Sequence, residues 1–173
     1  MGRPRFNGPV IMVDETCVQR IDKLGSPFDV KYCTFQQLDT LTKMYDEFSP
    51  KAVSQRLPPL DEATRRAWVE KLLTSAENFV AWWEGNAIGH CAMVPDLARR
   101  DAEYIIFVDQ PYRNRGIGTE LTAMAVARAR ELGLSAVWLT VEAFNFRALR
   151  LYRRVGFQFT DEGERERTMV LHL

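Results

Sequence analysis

An uninterrupted apolar run from Tyr104 to Val108 turns at Asp109, Gln110 and Pro111 and gives way to a long segment of helical composition. This pattern predicts strand, loop and helix. The helix carries Leu121, Met124, Ala125 and Leu132 on one side and ends at Gly133, a residue suited to a C-cap. Upstream, Phe28 to Thr34 alternates as a strand does. Leu38, Leu41, Tyr45 and Phe48 recur at helical spacing, which predicts a helix over 36–48 stopped by Ser49 and Pro50. Leu57 to Leu60, with two central prolines, reads as a rigid connector. Asp61 then caps a helix that runs toward Leu73 and buries Trp68, Val69 and Leu72. Asn78 to Trp83 and Ala87 to Val94 form a hairpin about Glu84, Gly85 and Asn86, with Trp82 and Trp83 on opposite faces and one of them in the core.

Arg99 to Asp101 connects this hairpin to the apolar strand. Past Gly133, Ala136 to Val141 is a strand and Asn145 to Phe157 a short helix stopped at Gly156. Strands at 157–160 and 167–173 flank a polar turn from Glu162 to Glu166. Before Phe28 there is only a short β-type run, Val10 to Val13. Residues 1–27 are therefore read as an N-terminal extension without an assigned role, and 28–173 as a single domain.

Composition narrows the function. A chain of 173 residues with a 46% hydrophobic share can bury a full core, roughly 70% of its unfolded surface. Basic and acidic residues both number 23, so no overall charge favours nucleic acid or an anionic membrane. No apolar run is long enough to span a bilayer. Cys17, Cys33 and Cys91 are odd in number and lack metal-pair spacing, which points to a reduced, cytoplasmic setting and to no metal. The start, MGRPRF, lacks a long apolar stretch for export and has Phe6 where a myristoylation signal needs Ser or Thr.

The candidate chemistry begins in the loop. Arg113, Gly116 and Gly118 stand in the spacing RxxGxG just before the helix. Glycines let a backbone approach a bulky anion, and the first-turn N–H groups of a helix point outward at the positive end of its dipole. That arrangement suits a pyrophosphate, with Arg113 and Arg115 as charged donors. A tight turn with solvated arginines is the other reading of the loop taken alone. A Walker loop would need Lys where Ile117, Gly118 and Thr119 stand, and a dinucleotide fingerprint would need Gly where Leu121 stands.

The strand, the RxxGxG loop and the following helix resemble the acetyl-CoA-binding motif of the GNAT N-acetyltransferase superfamily. Asn145, Ala148, Leu151, Tyr152, Gly156 and Phe157 match its second motif, NxxAxxLYxxxGF. The stretch from Tyr45 to Leu73, with the glycine loop that follows, is more loosely similar to the catalytic domain of bacterial Pat-type protein lysine acetyltransferases. The resemblance implies an α/β (α+β) GNAT fold: a mixed, mostly antiparallel sheet with helices on both faces. The strand ending at Val108 then splays from the one ending at Val141, and the pantetheine arm of acetyl-CoA inserts between them. Ile106, Phe107 and Val108 are expected to offer backbone groups to pantetheine. Asn114, Arg115, Gly116, Ile117, Gly118 and Thr119 are expected to hold the pyrophosphate, with Asn145 and Tyr152 flanking the thioester. N–H groups near Phe107 and Val108 would stabilise an oxyanion.

Amide formation needs a base for an amine of pKa about 10.4 and an acid for a leaving thiol of pKa about 8.5. Tyr152 matches the family's usual proton donor. Glu103, which shares a strand face with residues 105 and 107, is the expected base, in a partly apolar cleft that would raise its pKa. Glu142 is the reserve, acting through water. His90 reads as a satisfied buried histidine rather than a catalyst, and Cys91 lacks the partners of a nucleophile. One or two of Arg147, Arg150, Arg153 and Arg154 are expected at the 3′-phosphate of CoA. The acceptor of the acetyl group is an amine: a protein lysine first, or else a small amine such as a polyamine, amino acid or aminoglycoside. An acyl-CoA-sensing module without turnover is the third reading. Oligomeric state is not legible.

Overall fold

The computed structural model describes residues 17–49, 57–161 and 163–173. Within them, Val18–Ile21 (β1), Pro27–Cys33 (β2), Glu77–Trp83 (β3), Asn86–Asp96 (β4), Asp101–Val108 (β5), Ala136–Glu142 (β6), Gln158–Phe159 (β7) and Glu166–His172 (β8) form one sheet. Its order is β1-β2-β3-β4-β5-β6-β8-β7. Neighbours are antiparallel except β5 and β6, which are parallel. The expected strand at Val10 to Val13, the stop at Pro50 and the turn residue Glu162 lie outside the described residues.

The sheet begins earlier than the boundary at residue 28, because Val18 to Ile21 pairs with Val30 to Pro27. This edge strand is exposed along most of its length, so Gln19 and Arg20 break the apolar alternation that marks a half-buried strand. Trp82 and Trp83 do point to opposite faces, but each is half-buried at a strand end where the register shifts, and neither is core.

Among the described residues, four helices cover the sheet. Leu38–Glu47 (α1) follows a short 3-10 turn capped by Thr34 and Gln37, and Glu62–Ser75 (α2) starts at Asp61, whose carboxylate accepts from the Thr64 N–H at 2.8 Å. Both lie on one face, where Leu41, Tyr45, Val69 and Leu73 meet Val80 and Phe107. Ile117–Glu131 (α3) and Phe146–Val155 (α4) lie on the other, over Cys91, Met93, Tyr104, Leu139 and Met169. Leu121 and Ala125 are buried on α3 as expected, whereas Met124 and Leu132 are half-buried at the edge of that cluster. Gly133 adopts φ +69 just past the helix end. Among the described residues no helix is long and apolar enough to cross a membrane.

Under α1 the polar groups are paired. Asn78 donates its amide to the carbonyls of Leu72 and Ala76, so its oxygen faces His90 Nε2 at 3.0 Å. His90 Nε2 therefore carries the proton, and Nδ1 accepts from the Tyr45 hydroxyl at 2.6 Å. His90 is fully buried and structural, as its sequence context suggested.

Burial pulls the His90 pKa from the usual 6.5 down to about 3. The unfolded chain takes up this proton below 6.5 while the folded chain does not, so stability present above that pH is lost as pH falls toward 3. Urea unfolding between pH 7 and 4 is expected to show a loss of up to about 1.4 kcal/mol per pH unit that His90→Gln abolishes. Parallel pH profiles for the two proteins would contradict this assignment.

Candidate active site

The parallel pairing of β5 and β6 covers only Asp101 to Glu103 against Ala136 to Trp138. Beyond it β5 stays on β4 through Val108, while β6 follows β8 as far as Glu142. A gap opens between two strands of an otherwise continuous sheet. The direction of the backbone groups along it follows from one bond: the Asp109 N–H donates to Ile88 O at 2.9 Å, so Asp109 and Phe107 turn toward β4. Ile106 and Val108 then face the gap. β6 has diverged too far to pair with these half-buried residues, so their N–H groups and the Ile106 carbonyl face the gap, while the Val108 carbonyl is taken by Arg113 Nε. Phe107 thus departs from expectation: its N–H points into the β4 ladder, and its ring packs at 5.5–5.8 Å from Tyr45, Phe48 and Trp68.

At the open end of the gap, Gly116 stands before α3 with φ +95, a conformation that suits a residue without Cβ. The nearest atoms to a Cβ placed there are those of Lys23, at 3.9 Å, so the approach to the first turn is open. Asn114 also takes a positive φ, 63. The Ile117 side chain is buried and anchors the turn. The Thr119 N–H closes on Gly116 O at 3.0 Å, which leaves Ile117 and Gly118 as outward donors of the first turn. Gly118 has a second reason to be glycine. A Cβ there would stand 2.8 Å from Leu151 Cδ1 on α4. Below it, Tyr104 donates to Thr122 Oγ1 at 2.9 Å, because the Thr122 proton is directed to Gly118 O at 2.7 Å.

The two loop arginines are committed within the protein. Arg113 donates from Nε to Val108 O and from a terminal nitrogen to Ser49 O, both at 2.8 Å, and stacks over Phe48. Burial first, and then the charge of Arg147, lower its pKa. Arg115 Nε lies 2.5 Å from Asp22, its guanidinium over Tyr112, and its carbonyl accepts from the Lys23 N–H at 3.0 Å. Asp22 also accepts from the N–H groups of Leu24 and Ser26. Burial pushes its carboxyl pKa up, but those donors and Arg115 outweigh it and hold the group below the usual carboxylate value. The turn between β1 and β2 is thereby docked on the glycine loop. Nothing in the sequence signalled it, since these partners are 93 residues apart.

Tyr152 is buried on α4, its ring 5.7 Å from that of Phe157. Asn145 caps this helix through the Ala148 N–H at 3.2 Å, and Gly156 ends it at φ +113 while the Phe157 N–H returns to Tyr152 O. The second motif is therefore largely a device for fixing α4 and the position of Tyr152. Burial, and then neighbouring Cys91, push the Tyr152 hydroxyl above the usual phenol pKa, so it keeps its proton. Cys91 itself is buried and pushed up to about 12, the opposite of an activated nucleophile.

Glu103 lies on the other face, at the closed end of the gap beside Val94 and Trp138, in a shallow cleft shared with Pro95, Asp96 and Asp101. Glu142 is exposed at the end of β6. Glu103 and Tyr152 stand on opposite faces of the sheet.

The acetyltransferase (GNAT) family model matches residues 39–157. The chain is 39% identical over 83 residues to an N-alpha-acetyltransferase, MAK3, of Arabidopsis thaliana, covering 46% of this chain and 43% of that protein. It is 24% identical over 110 residues to an L-methionine sulfoximine/L-methionine sulfone acetyltransferase of Pseudomonas aeruginosa, covering 60% of this chain and 64% of that protein. It thus spans less than two thirds of either relative. The fold matches the GNAT domain of S. lividans PAT with a TM-score of 0.79 at 16% identity, over 91% of this chain and 97% of that domain.

Gly116→Ala is expected to destabilise the protein by about 1–2 kcal/mol, the strain of a Cβ in the left-handed region, read from urea unfolding. Unchanged stability would show that the loop relaxes without cost.

Proposed function

The chain belongs to the acetyltransferase (GNAT) family, and from that premise we propose that it moves an acetyl group from acetyl-CoA directly to a primary amine, with a protein lysine as the leading acceptor. The observation that carries this reading is the gap between β5 and β6. It presents the backbone edge of Ile106 and Val108 to a slender amide-bearing arm such as pantetheine, and it leads to the open first turn of α3, where a pyrophosphate fits.

Acetyl-CoA supplies an activated thioester carbonyl. Glu103 takes the proton from the acceptor ammonium, and the freed amine forms the new C–N bond. The Val108 N–H serves the carbonyl oxygen as donor. As the C–S bond breaks, Tyr152 gives its proton to sulfur, so that coenzyme A leaves as the thiol, and the proton shed by the newly acylated nitrogen restores the phenol, a role suited to a buried phenol that holds its proton across the physiological range.

A cationic amine acceptor is supported by the open cleft at Glu103 and Trp138, where Asp96, Asp101 and Glu103 outnumber Arg99, and by the similarity to an N-alpha-acetyltransferase. A small-amine acceptor is the second reading, favoured by the similarity to the sulfoximine acetyltransferase. A reducing, cytoplasmic setting accords with free Cys17, Cys33 and Cys91.

Thiol release from acetyl-CoA in the presence of lysine peptides, candidate proteins or small amines tests the proposal. Release is expected to depend on the acceptor and to fall about 10²- to 10⁴-fold in Glu103→Gln, with a smaller loss in Tyr152→Phe and acetyl-CoA affinity kept in both. Binding without release across the whole panel would instead support an acyl-CoA sensor.

A further inference from the structure

We propose that Lys23, on the turn between β1 and β2, binds the pyrophosphate of acetyl-CoA, so that the N-terminal hairpin forms a wall of the cofactor site. The inference rests on the reading given under Proposed function. It starts from the loop arginines, which motif reasoning assigns to the phosphates. Arg113 is directed to the Val108 and Ser49 carbonyls, and the charge of Arg115 is matched by Asp22. A pyrophosphate at the first turn of α3 would therefore gain from a cation that is not already engaged.

Lys23 is placed to supply it. Its N–H donates to Arg115 O at 3.0 Å, which fixes the lysine backbone against the loop. Its Cγ and Cε lie 3.9 and 4.0 Å from where a Gly116 Cβ would stand, so the side chain runs along the N-cap of α3. Lys23 is exposed and forms no ion pair among the described residues. The nearby acids are already engaged, Asp22 by Arg115 and Glu120 by Arg20 at 2.7 Å. The turn is also held independently of the lysine side chain, because Asp22 accepts from the Leu24 and Ser26 N–H groups at 2.8 and 2.9 Å. The ammonium is thus carried on a preformed support beside outward-pointing N–H groups, where an anion gains from both.

Calorimetric titration of Lys23→Ala and Lys23→Arg with acetyl-CoA and with 3′-dephospho-acetyl-CoA tests the assignment. Lys23→Ala is expected to bind both ligands about tenfold more weakly than the wild type, with unchanged thermal unfolding, and Lys23→Arg to recover most of the loss. Wild-type affinity in Lys23→Ala would overturn the proposal. A loss seen with acetyl-CoA but absent with the dephospho form would overturn it too, by moving the contact to the 3′-phosphate. A wild-type protein that binds neither ligand would overturn the acetyl-CoA reading itself.

Discussion

Beyond Glu103, β5 keeps one neighbour and loses the other, and the rest of the site follows from that break. A central strand with one unpaired edge would ordinarily draw in a neighbouring strand or water. Here two forces hold the edge open. The ladder to β4 and the ring of Phe107, set among Tyr45, Phe48 and Trp68, fix β5 from the α1 side. The full pairing of β6 with β8 holds β6 away. The resulting slot is a product of packing on both sides of it and needs no strained backbone within β5.

The loop into α3, where the proposed function puts the phosphates, is built by contacts distant in sequence. A glycine in the left-handed region turns the chain into α3, Arg113 pins the loop to the end of β5, and Arg115 ties it to the first hairpin. These arginines shape the cradle from within. Gly118 also gives room to Leu151 Cδ1, the end of a flexible side chain that would have to move aside for a Cβ.

Most elements were legible because their signals are local. The run Tyr104 to Val108 is a strand, Asp61 caps the helix it was read to cap, and Gly133 and Gly156 adopt the left-handed conformations expected at helix ends, whereas Asn145, expected beside the thioester, proves to be the cap of α4. The reading of His90 as a structural residue followed from its apolar neighbours. What escaped was long-range. β1 is an exposed edge strand whose polar residues erase the alternation, and its link to the glycine loop spans most of the chain. The direction of Phe107 depends on which strand pair supplies its hydrogen bond, and side-chain period alone does not tell the two edges of a strand apart. The arginines were read as ligand donors because a motif shows spacing and not competing partners.

On the proposed function, the β5 edge at Ile106 and Val108 is the binding edge for acetyl-CoA. Residue-resolved amide hydrogen exchange, with and without acetyl-CoA, tests it most directly. The ligand is expected to slow exchange at Ile106, Val108 and the first turn of α3, while Phe107, already bonded in the β4 ladder, exchanges slowly in both states. A ligand that binds yet leaves Ile106 and Val108 unchanged would contradict it.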